Sequence, residues 1–209
     1  MKITNEDNME LMARYRDNYF DLAIVDPPYG IERFKKVTEK PTDKDVHAKR
    51  FQKMELINNT KPTNKYWEEL FRVSKNQIVW GANNFTLPES EYFLIWDKKQ
   101  AMPNFARCEL AYVSMGLKKP AKIFEYSIHK HNQTQKIHNT QKPVKLYEWL
   151  LMNYAKDGFR ILDTHLGSGS IALACHNLGY DLTACELDKE YYNAAIKRLK
   201  QHQSQKRLF

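Results

Sequence analysis

The sequence predicts an α/β fold built on a mostly parallel, doubly wound sheet of seven strands. Three observations carry that prediction. Short apolar runs bounded by acids, such as Asp21-Leu22-Ala23-Ile24-Val25-Asp26, read as strands buried on both faces. Such runs alternate with segments of helical period, the pattern of a parallel sheet with crossover helices. Near the C-terminus, the run 160–163 enters a glycine turn and then a helix, an arrangement that places a nucleotide cofactor at the carboxyl ends of parallel strands.

Taken in order, residues 2–4 read as a short strand and 10–16 as a helix with Met9, Met12 and Ala13 on one side. The run 21–26 is a strand that Pro27-Pro28-Tyr29-Gly30 ends, since proline cannot continue a central strand. Residues 31–65 carry ten Lys or Arg against five acids, a long basic loop within the domain. Trp67, Leu70 and Phe71 give 63–73 a helical period. Strands follow at 77–80 and 92–96, and two more at 109–115 and 121–127 read as a hairpin around residues 116–120. Residues 129–139 are polar and irregular. A helix at 143–155 begins on Pro143, which suits a first turn. Strand 160–163, helix 171–178, strand 182–185 and helix 189–200 complete the chain.

The 209 residues fit a single domain, 1–209, and 42% apolar content is enough for a core. No run approaches the ~20 apolar residues of a membrane span, and residues 1–7 have no apolar signal region. A cytoplasmic location is the expectation. Cys108, Cys175 and Cys185 form no close pairs, which argues against disulfides and zinc. His129, His131 and His138 lack partners at ligand spacing, so no metal is expected. A net charge of +8 suits a polyanionic partner such as nucleic acid.

Two constellations carry chemistry. In Asp163-Thr164-His165-Leu166-Gly167-Ser168-Gly169-Ser170, the glycines let backbone approach a ligand, and the helix start offers free N–H groups. Glu186 ends the next strand, where an acid can take both hydroxyls of a ribose. This half alone fits dehydrogenases equally well. In the other, Asp26-Pro27-Pro28-Tyr29 presents a carboxylate, free carbonyls without N–H donors, and an aromatic face. That suits a flat substrate with an amino group. Accepting both amine hydrogens favours a pyramidal nitrogen able to attack a methyl sulfonium, while Tyr29 stacks on the base.

These blocks in this order resemble the amino-methylating DNA methyltransferases, in the permuted β class where the catalytic loop comes first. The resemblance covers nearly the whole chain and implies a class I, Rossmann-like methyltransferase fold using S-adenosylmethionine. It implies catalytic roles for Asp26, Pro27, Pro28 and Tyr29. It places Thr140, Gln141, Lys142 and Pro143, within the segment 138–143, against the methionine part of the cofactor. Asp163, His165, Leu166, Gly167, Ser168, Gly169 and Ser170 form the cofactor loop, Glu186 binds ribose, and Asp7 matches the acid that recognises adenine. Glu186-Leu187-Asp188 with Tyr191 and Arg198 is similar to the family's next block. The chain departs from the family at Asp163-Thr164-His165, where Asp-Pro-Phe is usual and His165 takes the aromatic's place. The region of target recognition, 116–137, is short.

The expected activity is site-specific methylation of double-stranded DNA on a flipped base, within a restriction-modification setting. An Asp at the first loop position favours adenine N6 in the family, with cytosine N4 as the alternative. An RNA or protein-amide methyltransferase and a non-catalytic nucleic-acid-binding protein remain competing readings. Residues 31–65 are a candidate DNA-facing loop. Gln205-Lys206-Arg207-Leu208-Phe209 resembles the peptide that docks on bacterial sliding clamps. A homodimer is the oligomer left open.

Overall fold

The computed structural model describes residues 1–30, 60–90, 92–101, 105–132, 137 and 140–205. Among these, eight strands form one sheet: β1 (Lys2–Asn5), β2 (Leu22–Val25), β3 (Gln77–Trp80), β4 (Phe93–Asp97), β5 (Cys108–Val113), β6 (Ile123–Glu125), β7 (Arg160–Asp163) and β8 (Asp181–Glu186). Their order is β1-β8-β7-β2-β3-β5-β4-β6. The five strands from β1 to β3 run parallel. β5 is antiparallel to both β3 and β4, and β6 runs parallel to β4.

Side chains alternate across this sheet, so its central strands feed two cores. Leu22 and Ile24 of β2 pack on one face with Ile78, Ile161 and Leu182, under α4 (Val144–Tyr154), α5 (Ser170–Leu178) and α6 (Lys189–Ser204). Ala23 and Val25 face the other way with Val79, Leu162 and Cys185, under α1 (Asn8–Ala13) and α2 (Asn64–Val73). The sheet is therefore doubly wound, as expected. It has eight strands, the number given by the element-by-element reading, against the seven expected for the fold class.

Local chemistry sets the ends of these elements. Asp7 caps α1 by accepting from the Met9 N–H at 2.7 Å, so α1 starts two residues before the helix expected at residue 10. Asp188 caps α6 by accepting from the N–H groups of Glu190 and Tyr191. Gly169 and Gly179 bracket α5 in the left-handed region, at φ 72° and 76°.

One expectation is overturned. Residues 109–115 and 121–127 do not form a hairpin, because β4 lies between β5 and β6 and pairs with both. Residues 114–122 instead cross over β4, through a short 3-10 turn at Met115–Leu117 and a left-handed Lys118 at φ 46°. The polar stretch from residue 129 also differs, since Ile128–Asn132 forms a one-turn helix, α3. No described helix is long and apolar enough to cross a membrane. Most of the basic segment 31–65 (residues 31–59), His138 and Asn139, and residues 206–209 of the clamp-like peptide lie outside the described residues.

Candidate active site

β2 and β7 are neighbours, with Leu22 opposite Ile161 and Ala23 opposite Leu162. Asp26 and Asp163, 137 positions apart in the chain, therefore leave the sheet from adjacent strands, with Asp26 two residues beyond the rung of Asp163. A pocket of about 1030 Å³ opens over these strand ends. It is lined by Asp7, by Asp26 to Tyr29, by Thr140 to Lys142, by Thr164 to Ser168 and by Glu186. Every block singled out in the sequence thus contributes to one cavity, and its volume exceeds what a single nucleoside fills.

On the β7–β8 side the wall is mostly backbone. Gly167 adopts φ 52°, and its N–H donates to Glu186 Oε2 at 2.8 Å. Glu186 Oε1 accepts from the Asp188 N–H at 2.9 Å. Burial raises the Glu186 carboxyl, and these N–H groups work against that rise. Asp163 is buried behind the pocket wall and accepts from the His165 N–H at 3.0 Å. Burial lifts its carboxyl to about 8; that hydrogen bond opposes the rise, and the negative Asp26 and Glu186 add to it. Gly169, Ser170 and Pro143 also stand behind the surface. Ser170 Oγ donates to the Lys142 carbonyl at 2.8 Å, and Arg198 braces the turn by donating to the Ser168 carbonyl at 2.9 Å.

His165 in the turn is held by a polar chain. Asn8 Nδ2 lies 3.2 Å from His165 Nε2, Thr164 Oγ1 lies 2.9 Å from Nδ1, and Tyr66 Oη lies 2.7 Å from Thr164 Oγ1. Asn8 can only donate there, so Nε2 accepts and Nδ1 carries the proton. Burial lowers the imidazole to about 4, so the ring is neutral near pH 7.

On the β2 side the wall is made of charged side chains. Tyr29 Oη donates to Asp26 Oδ1 at 2.6 Å, and Lys142 Nζ donates to Asp26 Oδ2 at 2.5 Å. Lys142 Nζ also lies 3.1 Å from Tyr29 Oη and 3.3 Å from Glu109 Oε2. Burial alone would lower the Lys142 ammonium, but Asp26, Tyr29 and Glu109 hold it well above the usual lysine range. Burial likewise pushes the Tyr29 phenol well up, so it stays a hydroxyl. The Tyr29 ring lies against Gly81, at φ 71°, where a β-carbon would fall inside the ring. Glu109, Lys98 and Gly81 were not legible in the sequence as site residues. Their one signal is Glu109, an acid at the start of an otherwise apolar strand.

The donor set fits a nucleoside cofactor that bears positive charge. Its wall offers a paired ribose-type carboxylate at Glu186, a second acid at Asp7, and a glycine turn free of side chains. One pocket thus joins a backbone-lined turn with a paired carboxylate to a wall of charged side chains, at the strand ends where a doubly wound, Rossmann-like sheet places its ligands.

Comparison with known proteins identifies the family. The family described as DNA methylase, covering N6 and N4 enzymes, matches residues 48–197, well over half of the chain. The type II methyltransferase M.HpaI of Haemophilus parainfluenzae is 35% identical over 81 residues, which is 38% of this chain and 26% of that enzyme. M.BglII of Bacillus subtilis is 24% identical across 95% of this chain and 68% of its own length. Among solved structures, the M1.HpyAVI–SAM complex superposes with a TM-score of 0.58 at 19% identity, covering 95% of this chain and 98% of that one. The cytosine-N4-specific PvuII DNA methyltransferase gives 0.61 at 12% identity, covering 96% and 90%. These likenesses extend to the fold. The chain belongs to the DNA methylase family, as an amino-methyltransferase of the adenine-N6 or cytosine-N4 kind.

Proposed function

We propose that the chain methylates adenine N6 in double-stranded DNA, with Asp26 to Tyr29 as the catalytic loop. The observation that carries this reading is the opening of Asp26 and the glycine turn into one pocket from adjacent strands. S-adenosylmethionine is the methyl donor and supplies an electrophilic methyl group on a cationic sulfur.

Glu186 would accept the ribose hydroxyls, and the bare backbone at Gly167 would let the cofactor lie close to the turn. Asp7, Thr140 and Gln141 line the same cavity and would orient its ends. A flipped base would stack on Tyr29, which contributes on the order of 1–3 kcal/mol and offsets the few kcal/mol of extrusion. Asp26 and the Pro27 carbonyl would accept the two amine hydrogens, with the amine replacing the Tyr29 hydroxyl at Asp26 Oδ1. The nitrogen–carbon bond forms as the carbon–sulfur bond breaks and its electrons stay on sulfur. The amine proton leaves to Asp26 and from there to water. Holding nitrogen, carbon and sulfur in line supplies much of the rate. The leading Asp at position 26, in place of a Ser, supports adenine over cytosine.

The test is methyl transfer from labelled cofactor to duplex DNA, with the product digested to nucleosides. N6-methyladenine is expected, and N4-methylcytosine would overturn the base assignment. Undiminished transfer by Asp26→Ala would overturn the mechanism.

A further inference from the structure

Beneath the catalytic loop lies a row of alternating charges that neither the loop nor the cofactor turn accounts for. Asp26 Oδ2 meets Lys142 Nζ at 2.5 Å, Lys142 Nζ meets Glu109 Oε2 at 3.3 Å, and Glu109 Oε1 meets Lys98 Nζ at 2.5 Å. The four residues come from the end of β2, the segment before α4, the start of β5 and the residue after β4. β4 and β5 bring the last two together, since Trp96 pairs with Glu109 across their ladder.

The side chain of Lys142 is only 4% exposed, so water cannot compensate its charge. It rests over the Trp80 ring, 5.6 Å from the centroid. Without Glu109, its full charge would fall on Asp26 and on the amine, which becomes cationic as it attacks. Glu109 Oε2 is buried and has no hydrogen-bond donor among the described residues, so its role toward Lys142 is electrostatic. Burial would raise the Glu109 carboxyl, yet Lys142 and then Lys98 bring it down to about 2, which keeps it charged throughout the working range.

We propose that Glu109 is a positioning residue for methyl transfer, acting through Lys142 to fix the direction and charge of Asp26 without touching the base. This rests on the reading of Asp26 as the acceptor of the amine. The groups facing Asp26 are Tyr29 of its own loop, Lys142 and Tyr147 from the α4 side, Glu109 from β5, Lys98 beyond β4, and Asp163 from β7. Of these, Lys142 touches Asp26 and Glu109 touches Lys142, so the two can be neutralised one at a time and together.

The experiment is single-turnover methyl transfer at saturating S-adenosylmethionine, using unmethylated genomic DNA from methylation-deficient cells, measured across DNA concentration. Glu109→Gln is expected to slow transfer at saturating DNA about tenfold or more, with cofactor affinity and the DNA concentration for half-maximal rate each unchanged within about twofold. Lys142→Met should slow transfer as well, and the double variant should be no slower than the slower single variant, because the two act as one unit. Lys142→Arg should keep most of the rate. An unchanged rate in Glu109→Gln, a loss that sits in DNA affinity alone, or single-variant losses that simply multiply in the double, would overturn the proposal. If Lys142→Met does not fold, Glu109→Gln decides alone, since the isosteric amide keeps its acceptor for Lys98. Asp26→Asn separates the two levels. Full activity in that variant sinks the catalytic reading itself, whereas its inactivity beside a parent-like Glu109→Gln sinks only this inference.

Discussion

The two walls of the pocket are built by opposite means. On the β7–β8 side, contiguous residues fold into a turn whose backbone N–H groups and one carboxylate face the cavity, as in the 2.8 Å contact from Gly167 to Glu186. On the β2 side, four charged side chains from separate segments, Asp26 among them, meet in one row. Backbone geometry tolerates most exchanges of neighbouring side chains, whereas a row of buried charges fails when one member is lost. Under the proposed roles, the β7–β8 wall should therefore lose cofactor affinity by degrees, and the β2 wall should lose rate abruptly.

The sharpest test of that contrast is Asp26→Ala. It should lower single-turnover transfer by about 10³-fold while the cofactor still binds, measured by calorimetry. Loss of cofactor affinity in that variant would merge the two walls into one unit. Glu186→Gln should do the converse. Cofactor affinity should fall about 10- to 100-fold, the loss of a charged hydrogen bond, with the rate at saturating cofactor within about threefold of the parent.

Gly81→Ala tests the seat of the catalytic loop. The new β-carbon meets the Tyr29 ring, and the left-handed backbone adds a cost of about 1–2 kcal/mol. Thermal melting should drop and transfer should slow, while cofactor affinity stays. An unshifted melt would mean that Tyr29 sits elsewhere in solution. The last test concerns Asp163, whose effect is on stability rather than on rate. Its folded carboxyl stands at about 8, above the usual 3.8, so the fold favours the neutral form. Its contribution is complete below about pH 4 and is lost as pH rises through about 8. Asp163→Asn keeps an acceptor for the His165 N–H and should flatten the melting temperature of the cofactor-free protein across that window. A profile that falls as steeply as the parent's would assign the pH dependence to another group.

The same contrast explains what the sequence disclosed. Strands 77–80 and 160–163 were read at their observed bounds, because each is a short apolar run with a sharp polar boundary. The glycine turn was legible because it is local. Lys142 was read as a cofactor contact from its place before Pro143, and its ion pair with Asp26 was hidden because the partners lie 116 positions apart. Glu109 and Lys98 meet only through the β4–β5 ladder, which local pattern does not specify. The expected hairpin failed for a related reason. Residues 109–115 and 121–127 both read as strands, but which neighbour each pairs with is settled by β4, which lies earlier in the chain.

The adjacency of β2 and β7 works as a ruler. Neighbouring strands lie about 4.8 Å apart, and the ladder through Ala23 and Leu162 transmits that spacing to the two strand ends. The separation of the Asp26 loop from the glycine turn is then set by strand spacing and register, through backbone hydrogen bonds in a fully buried part of the sheet. Loops can lengthen without altering it. Adding one residue inside either strand would turn its last side chain to the opposite face, so length changes at this site should be tolerated beyond the rungs and nowhere between them.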